Sequence, residues 1–127
     1  MWGVSAWRRQ ALEAFPELQT ELNDAGEIFS VYALWFELLS LVEDAHRAHN
    51  EDMLRRIYGY ADWCRQQSDE LGNAVAVAFY EHLFDEPWMR PLVVPWLSPR
   101  IISDIRPLWV AQLAPDDMKE VERLLQP

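Results

Sequence analysis

The sequence predicts an all-α fold: a single domain over residues 1–127, built as a bundle of five to seven helices, with a proline-rich strap at about residues 86–99. Three observations predict this fold class. Apolar residues recur at helical spacing along most of the chain. Asparagine, serine and proline residues stand where helices are expected to start. The turns between the predicted helices span roughly two to five residues, as is typical of antiparallel neighbours in a bundle.

The first two helices are predicted on either side of Pro16. Ser5 is the expected N-cap of the first helix, and the apolar face of this helix comprises Trp7, Ala11, Leu12 and Phe15. Pro16 interrupts the helix, because proline cannot donate the backbone hydrogen bond. Since proline suits the first position of a helix, we expect a second helix over residues 16–23 that buries Leu18 and Leu22.

The central helix is predicted over residues 28–49, with an inner face made by Val31, Leu34, Trp35, Leu38, Val42 and Ala45. Tyr32, Phe36 and Leu39 widen this apolar stripe, which predicts that other elements surround the helix. Asn50 is the expected N-cap of the following helix. The inner stripe of that following helix comprises Leu54, Ile57, Ala61, Cys64 and Leu71.

The segment GNAVAVAFYEHLF, residues 72–84, is compatible with a strand or a helix. Val75 and Val77 alternate as in a strand, but the intervening alanines favour a helix and are depleted in strands. Asn73 is a good N-cap, and the apolar pattern continues to Leu83. A buried helix is therefore predicted.

Prolines mark the elements of the last third of the chain. Ser98 and Pro99 form an expected N-cap and first helical residue. Pro107 is expected to break or kink the helix that follows. Pro115 is expected to open a last short helix that runs through Leu125.

The proline-rich strap carries prolines at 87, 91, 95 and 99, one every fourth residue. Polyproline ligands use a three-residue turn, so a four-residue spacing places successive prolines on different faces. Each proline is instead expected to start a tight turn or one short helical turn. The strap would then cover the core with Trp88, Leu92, Trp96 and Leu97. An exposed tryptophan-rich interface is the alternative.

Charge and composition limit the classes of function. The net charge is −10, and residues 1–86 carry all of it. Such a field repels nucleic acid and anionic membranes, so neither is an expected partner. It favours a basic protein partner, or only keeps the protein soluble. The single cysteine, Cys64, excludes an intrachain disulfide and suits a cytoplasmic location. No membrane span, signal peptide or cofactor is expected.

An acidic ridge is the first candidate partner site. Glutamates at 13, 17 and 21 are spaced by four, so a mild break at Pro16 would align them on one surface. Like charges at this spacing cost stability, which fits a ridge kept for a partner; a solvated face is the alternative. Together with the strap tryptophans, the candidate partner-binding residues are Glu13, Glu17, Glu21, Asp24, Trp88 and Trp96. A homo-oligomer formed through exposed tryptophans stays open.

A metal-binding enzyme is the alternative function, and it would use Glu43, His46 and His49. A Glu-x-x-His pair places a carboxylate and an imidazole on one helix face, as in di-iron bundles, but those proteins need a second copy of the motif. Histidines at a helix C-terminus are also explained by the helix dipole. His82 could serve as a general base, but no nucleophile motif accompanies it. A non-enzymatic protein is therefore predicted.

Two stretches, WFELLSLVEDAHRAHNEDMLRRIYGYADWC and NAVAVAFYEHLFDEP, carry a family resemblance. With residues 28–86 as its extent, the chain resembles small bacterial all-helical domains of unknown function, some of whose relatives look like immunity proteins of toxin systems. The resemblance implies a non-enzymatic bacterial protein. It assigns no catalytic or binding residue.

Overall fold

A computed structural model describes residues 6–23, 30–67 and 69–126, and these residues form eight α-helices and no strand, which confirms the all-α prediction. The two shortest, α2 and α6, have five and four residues. The helices are α1 Ala6–Ala14, α2 Gln19–Asn23, α3 Val31–Ala48, α4 Glu51–Arg65, α5 Asp69–Ala78, α6 Arg90–Val93, α7 Pro99–Gln112 and α8 Pro115–Leu125. Short 3₁₀ turns occur at Pro16–Leu18, Tyr80–His82, Pro87–Met89 and Val94–Trp96.

Side-chain caps start three of the long helices. The Asn50 side chain accepts a hydrogen bond from the Met53 amide at 3.2 Å, and Ser98 accepts one from Ile101 at 3.2 Å, as predicted. Ser30 caps α3 in the same way. These oxygens satisfy amides that have no partner within the helix. The predicted cap Ser5 lies outside the described residues.

The break at Pro16 is held in place by one arginine of α4. Phe15 leaves the helical conformation, with φ −132° and ψ 70°, so α1 ends at Ala14. The Arg56 guanidinium donates to the Ala14 carbonyl at the end of α1, at 3.0 Å, and to the Glu17 carboxylate at 2.9 Å. Arg56 therefore ties the end of α1 and the turn at Pro16 to α4.

An aromatic cluster occupies the core, with Trp35 of α3 fully buried at its centre. Trp35 stacks on Tyr60 of α4 at a centroid distance of 5.4 Å, and its ring lies 5.1 Å from Phe79 after α5. Phe15 meets the edge of Tyr60 at 5.6 Å. α3 packs against α4 and α5, but Tyr32 and Phe36 on its other side are exposed, so the prediction that other elements surround this helix is wrong.

Two predicted helix boundaries differ from the structure. α5 begins at Asp69, so Asn73 is an exposed residue inside the helix and not its cap. The helix ends at Ala78, and Phe79 turns the chain into the Tyr80–His82 turn before Leu83. The residues on both sides of this corner are buried, so the apolar periodicity continues through it. The end of α5 predicted from periodicity alone is therefore too late in the chain.

Pro107 does not break its helix. α7 runs without interruption from Pro99 to Gln112. Proline removes the hydrogen bond to the carbonyl four residues earlier, which belongs to Ser103. Both Ser103 and Pro107 face solvent, so water can satisfy that carbonyl.

The strap covers the core by short turns, as predicted; Pro87 is the first residue of its turn, whereas Pro91 and Pro95 are the second residues of theirs. Its inward face, however, comprises Met89, Val93 and Leu97, whereas Trp88 and Leu92 lie partly in solvent. The mixture of 3₁₀ and α turns shifts the inward face by one residue from that expected. Trp96 is half-buried and stacks on Tyr58 at 5.3 Å.

Arg90 fastens the strap to the last helix. It is 3% exposed and donates to the Phe84 carbonyl at 2.8 Å. It also contacts the carboxylates of Asp117 at 3.2 Å and Glu120 at 3.0 Å, both on α8. A buried guanidinium is stable only with such partners.

Among the described helices, none has the length and apolar character to cross a membrane.

Candidate functional site

Exposed aromatic side chains identify the candidate surface. Within the described residues, four large apolar side chains are exposed: Tyr32 at 41%, Phe36 at 62%, Trp88 at 38% and Val110 at 57%. Two of them lie on α3, and Trp88 contacts that helix. Tyr32 and Phe36 are four residues apart on one helix, so their exposed rings are neighbours on its surface, which makes this surface a candidate for contact with a partner.

We call this surface the α3 stripe, and define it by Tyr32, Phe36, Ser40, Glu43 and Arg47 on α3 together with Trp88 on the strap. Intervals of four, four, three and four residues place the α3 members on one helix face. At 1.5 Å per residue, the face is about 22 Å long from end to end. The opposite face of α3 carries the buried Trp35 and Leu38.

A cation–π contact joins the two parts of the stripe. The guanidinium carbon of Arg47 lies 4.7 Å from the centre of the Trp88 ring. Arg47 also pairs with Asp44 at 3.5 Å, in an exposed position. The contact holds the Trp88 ring against the C-terminal end of α3 without burying it.

Unpaired carboxylates surround the exposed rings. Glu37 follows Phe36 on the exposed side of α3, and Glu43 is half-buried two turns further on. Glu86 precedes the Pro87 turn that carries Trp88. None of these three carboxylates pairs with a described cation. Phe36 therefore lies near carboxylates that no described cation pairs with, whereas the Trp88 end of the stripe carries the cation of Arg47.

The predicted acidic ridge is interrupted. Glu13, Glu17 and Glu21 are all exposed, but they belong to α1, the 3₁₀ turn and α2, and not to one helix. Glu17 is engaged by Arg56 at 2.9 Å, so its charge stabilises the corner. Asp24 lies outside the described residues.

Trp96 lines a different surface from Trp88. Its ring, stacked on Tyr58, forms part of a cleft of about 580 Å³ between α4 and the strap. The charged groups of this cleft include Asp62 and Arg100, which pair with each other at 3.4 Å. The strap tryptophans therefore do not form one interface.

Another cleft, of about 650 Å³, lies where α4 and α5 meet α7. Its two arginines are already engaged: Arg65 contacts Asp104 at 3.6 Å and the Gly72 carbonyl at 3.0 Å, and Arg100 contacts Asp62. With its cations matched by neighbouring acids, this cleft leaves no unpaired positive group to select a ligand.

The candidate metal residues do not converge. His46 is buried, and its Nε2 lies 2.8 Å from the Tyr58 hydroxyl. His49 ends α3 in the left-handed conformation, with φ 54°, and is exposed, while Glu43 is half-buried on the outer face. Across the described part of the chain, no three His, Cys, Asp or Glu side chains are arranged to hold a metal ion.

Burial sets the protonation of the core histidine. Desolvation, with a smaller contribution from the nearby His49, lowers the pKa of His46 to about 4. The ring is therefore neutral at pH 7 and can share a proton with Tyr58, whose pKa is raised by burial. His46 has the properties of a core residue that joins α3 to α4.

His82 is held by its neighbours. Its Nδ1 lies 2.9 Å from the Asp85 carboxylate, and Gln112 of α7 also donates to Asp85. The Glu81 carboxylate is 3.7 Å from Nε2. No hydroxyl or thiol of a described residue hydrogen-bonds to this imidazole. Cys64, in turn, is buried, and burial raises its thiol pKa to about 12, which leaves it unreactive.

The exposure of Tyr32 and Phe36 differs from the prediction, which placed both residues on the apolar stripe that faces other helices. The positions of these two residues around the helix axis could have predicted their exposure. Phe36 is one residue from Trp35 and two from Leu38, so it points away from the face that those residues bury. An aromatic residue on the face that also carries Ser40 and Glu43 is a better indication of a contact surface than of a wider core.

No curated protein and no solved structure matches the chain significantly. The matching family model spans residues 8–126, nearly the whole chain. The predicted resemblance to a helical domain family of unknown function is thereby confirmed, and immunity-like relatives remain a hypothesis. The chain belongs to the DUF7674 family, a domain of unknown function.

Proposed function

We propose that this protein is a non-enzymatic binding module whose α3 stripe recognises a basic protein partner, as an immunity protein recognises its toxin. The observation that carries the proposal is the exposure of Phe36, at 62%, beside the unpaired carboxylates of Glu37 and Glu43. An exposed phenylalanine gains free energy when a partner covers it. The flanking carboxylates favour a partner that brings positive charge to the same place.

The charge of the whole chain supports a basic partner. The net charge of −10 lies entirely within residues 1–86, which include all of α3. A basic protein would be attracted from a distance of about one Debye length, roughly 8–10 Å in physiological salt. Such attraction raises the rate and the specificity of association.

Charge favours a different chain over a second copy, and the apolar area of the stripe limits what the rings can contribute. Three partly exposed rings offer roughly 300 Å² if each presents about 200 Å² when fully exposed. A stable specific interface buries about 800 Å² on each partner, so the rings would form only its centre. Two copies carrying −10 each would also repel one another.

Site-specific crosslinking tests this proposal. A photoreactive phenylalanine analogue is placed at position 36, and a matched control carries it at Val110, the other strongly exposed apolar site on α7. In cells that make the protein, we expect position 36 to crosslink a basic protein and position 110 not to do so. Adding Glu37→Gln and Glu43→Gln should reduce the yield several-fold, because both carboxylates are unpaired in the free protein.

Three results would contradict the proposal. These are the absence of any crosslink from position 36, the same products from both positions, and a product that is a dimer of this chain. The last would favour a homo-oligomer.

A further inference from the structure

We infer that the cleft between α4 and the strap, which Trp96 lines, binds a small organic anion: a carboxylate or phosphate group carried on an apolar ring. The inference does not depend on the proposed function, because it concerns a different surface and a different class of ligand. It follows from a buried hydroxyl without a partner, from an excess of hydrogen-bond donors and from an aromatic wall.

The hydroxyl of Tyr80 is an unused hydrogen-bond donor. Tyr80 lines the cleft and is 2% exposed. Its backbone carbonyl accepts a hydrogen bond from the Trp109 indole at 2.8 Å, but no described residue forms a hydrogen bond with its hydroxyl. Burial, and to a smaller extent the nearby carboxylate of Asp62, raises the pKa of Tyr80, so the hydroxyl keeps its proton at neutral pH. Because a buried polar group without a partner is unfavourable, this hydroxyl favours a ligand that brings an acceptor.

The charged side chains of the cleft offer more donors than acceptors. The Asp62 carboxylate is already engaged: one oxygen lies 3.4 Å from Arg100 and the other accepts from the Gln66 amide at 2.9 Å. Arg100 uses a single nitrogen in this contact, although a guanidinium carries several N–H donors. Arg55 lies 4.0 Å from Glu51, which is too long for a hydrogen bond, and both side chains are exposed. Most N–H groups of the two arginines therefore have no acceptor among the described residues, and a carboxylate or phosphate can accept several such bonds at once.

The cleft also differs in charge from the rest of the chain. Its charged lining residues are Arg55, Arg100 and Asp62, two cations against one anion, in a protein whose net charge is −10. Glu51, beside Arg55, offsets part of this positive charge. The field of the whole protein attracts cations and repels anions. An anion that binds in preference to a cation of the same shape is therefore selected by the groups of the cleft.

Aromatic side chains form one wall of the cleft. Trp96 and Tyr58 both line it, and their rings stack at a centroid distance of 5.3 Å with 11° between their planes. Space is open beside this wall, since a Cβ at the lining residue Gly59 would meet no atom within 4 Å. The volume of about 580 Å³ lies within the range of small-ligand sites. An apolar ring fits beside the wall while its anionic group meets the Tyr80 hydroxyl and the arginines.

Three naphthalene probes test the inference on the full chain. They are naphthoate, naphthyl phosphate and naphthylmethylammonium, which carry their groups at the same carbon of the ring and differ in charge. In NMR titrations of the isotope-labelled protein, we expect at least one anion to bind about tenfold or more tightly than the cation. The indole N–H signal of Trp96 should be among those that shift. The tighter of the two anions identifies whether the site takes a carboxylate or a phosphate.

Two substitutions, each with a matched control, connect this binding to the named side chains. Tyr80→Phe should weaken binding of the anion about fivefold or more and should not reduce stability to chemical denaturation, because the lost hydroxyl has no partner among the described residues. Tyr32→Phe, which removes an exposed hydroxyl on α3, is its control. Arg100→Gln should also weaken binding about fivefold or more. Arg106→Gln, at another arginine of α7 that pairs with an acid, should leave the affinity unchanged.

Four results would overturn the inference. These are the absence of binding by either anion up to about 10 mM, a cation that binds as tightly as the anions, a Tyr80→Phe variant with unchanged affinity, and shifted signals that exclude Trp96. None of them bears on the proposed function, which is tested by crosslinking from position 36.

Discussion

At the scale of single residues, a polar contact in the core links three elements. His46 of α3 meets the Tyr58 hydroxyl of α4 at 2.8 Å, and the Tyr58 ring stacks on Trp96 of the strap. The histidine is 3% exposed, so a charge on it would have to be buried. The stability of this part of the fold therefore depends on the histidine remaining neutral.

The pH dependence of the free energy of unfolding should reflect the protonation of His46. Its pKa is about 4 when folded and about 6.5 in the unfolded chain. As the pH falls from 6.5 to 4, the unfolded state takes up a proton that the folded state does not, so the free energy of unfolding decreases. The loss approaches about 3 kcal/mol at pH 4, as a difference of about 2.5 pKa units implies.

His46→Gln provides the control for that measurement, because an amide can retain a hydrogen bond to Tyr58 and does not titrate. In urea unfolding between pH 7 and pH 5, the variant should lose less stability than the wild-type protein. Parallel curves for the two proteins would show that His46 does not cause the decrease.

Two helical glycines should respond in opposite ways to a methyl group. A Cβ at Gly59, in the middle of α4, would meet no atom within 4 Å, whereas a Cβ at Gly72 would lie 3.1 Å from the Arg65 carbonyl oxygen. We expect Gly59→Ala to raise the free energy of unfolding by roughly 0.5–1 kcal/mol, because alanine loses less backbone entropy. Gly72→Ala should lower it, since the close approach of α5 to α4 has to relax. Chemical denaturation measures both changes, and a destabilised Gly59→Ala would refute the first.

At the scale of elements, the strap depends on one buried arginine. Arg90 donates a hydrogen bond to the buried Phe84 carbonyl and pairs with the carboxylates of Asp117 and Glu120 on α8. Arg90→Ala should lower the free energy of unfolding by about 2–4 kcal/mol, because the Phe84 carbonyl loses its donor and a cavity forms. Arg106→Ala is the matched control, since Arg106 also joins α7 to α8 through Glu122 at 3.1 Å but is partly exposed. Its cost should stay below about 1 kcal/mol. Similar losses for both variants would contradict a special role for Arg90.

The elements also show what could be predicted from the sequence. Caps at Asn50 and Ser98 and the turns of the strap were predictable, because a local side chain or a proline ring determines each of them. The end of α5 was not, because buried residues continue through the corner at Phe79. The exposed face of α3 was also missed: aromatic residues around a whole helix are ambiguous until the packing of α4 and α5 decides which side is covered.

At the scale of the whole molecule, the proposed function assigns different roles in recognition to charge and to shape. The excess of ten negative charges is spread over residues 1–86, so it would attract a basic partner before contact. The Phe36 ring, in contrast, is buried only when the partner touches it, so its contribution to binding is short-range. The proposed function therefore predicts that a change in salt concentration alters the association rate constant, whereas removal of the Phe36 ring alters the dissociation rate constant.

Binding kinetics with the crosslinked partner, once isolated, test this division. Raising NaCl from about 50 to about 300 mM should lower the association rate constant about tenfold or more and change the dissociation rate constant little, because screening removes long-range attraction. Phe36→Ala should do the reverse and raise mainly the dissociation rate constant, since short-range packing determines residence time. Val110→Ser, at the exposed control site on α7, should change neither constant. An association rate constant that is insensitive to salt would refute recognition by charge, because a field of this size cannot act on a basic partner without being screened.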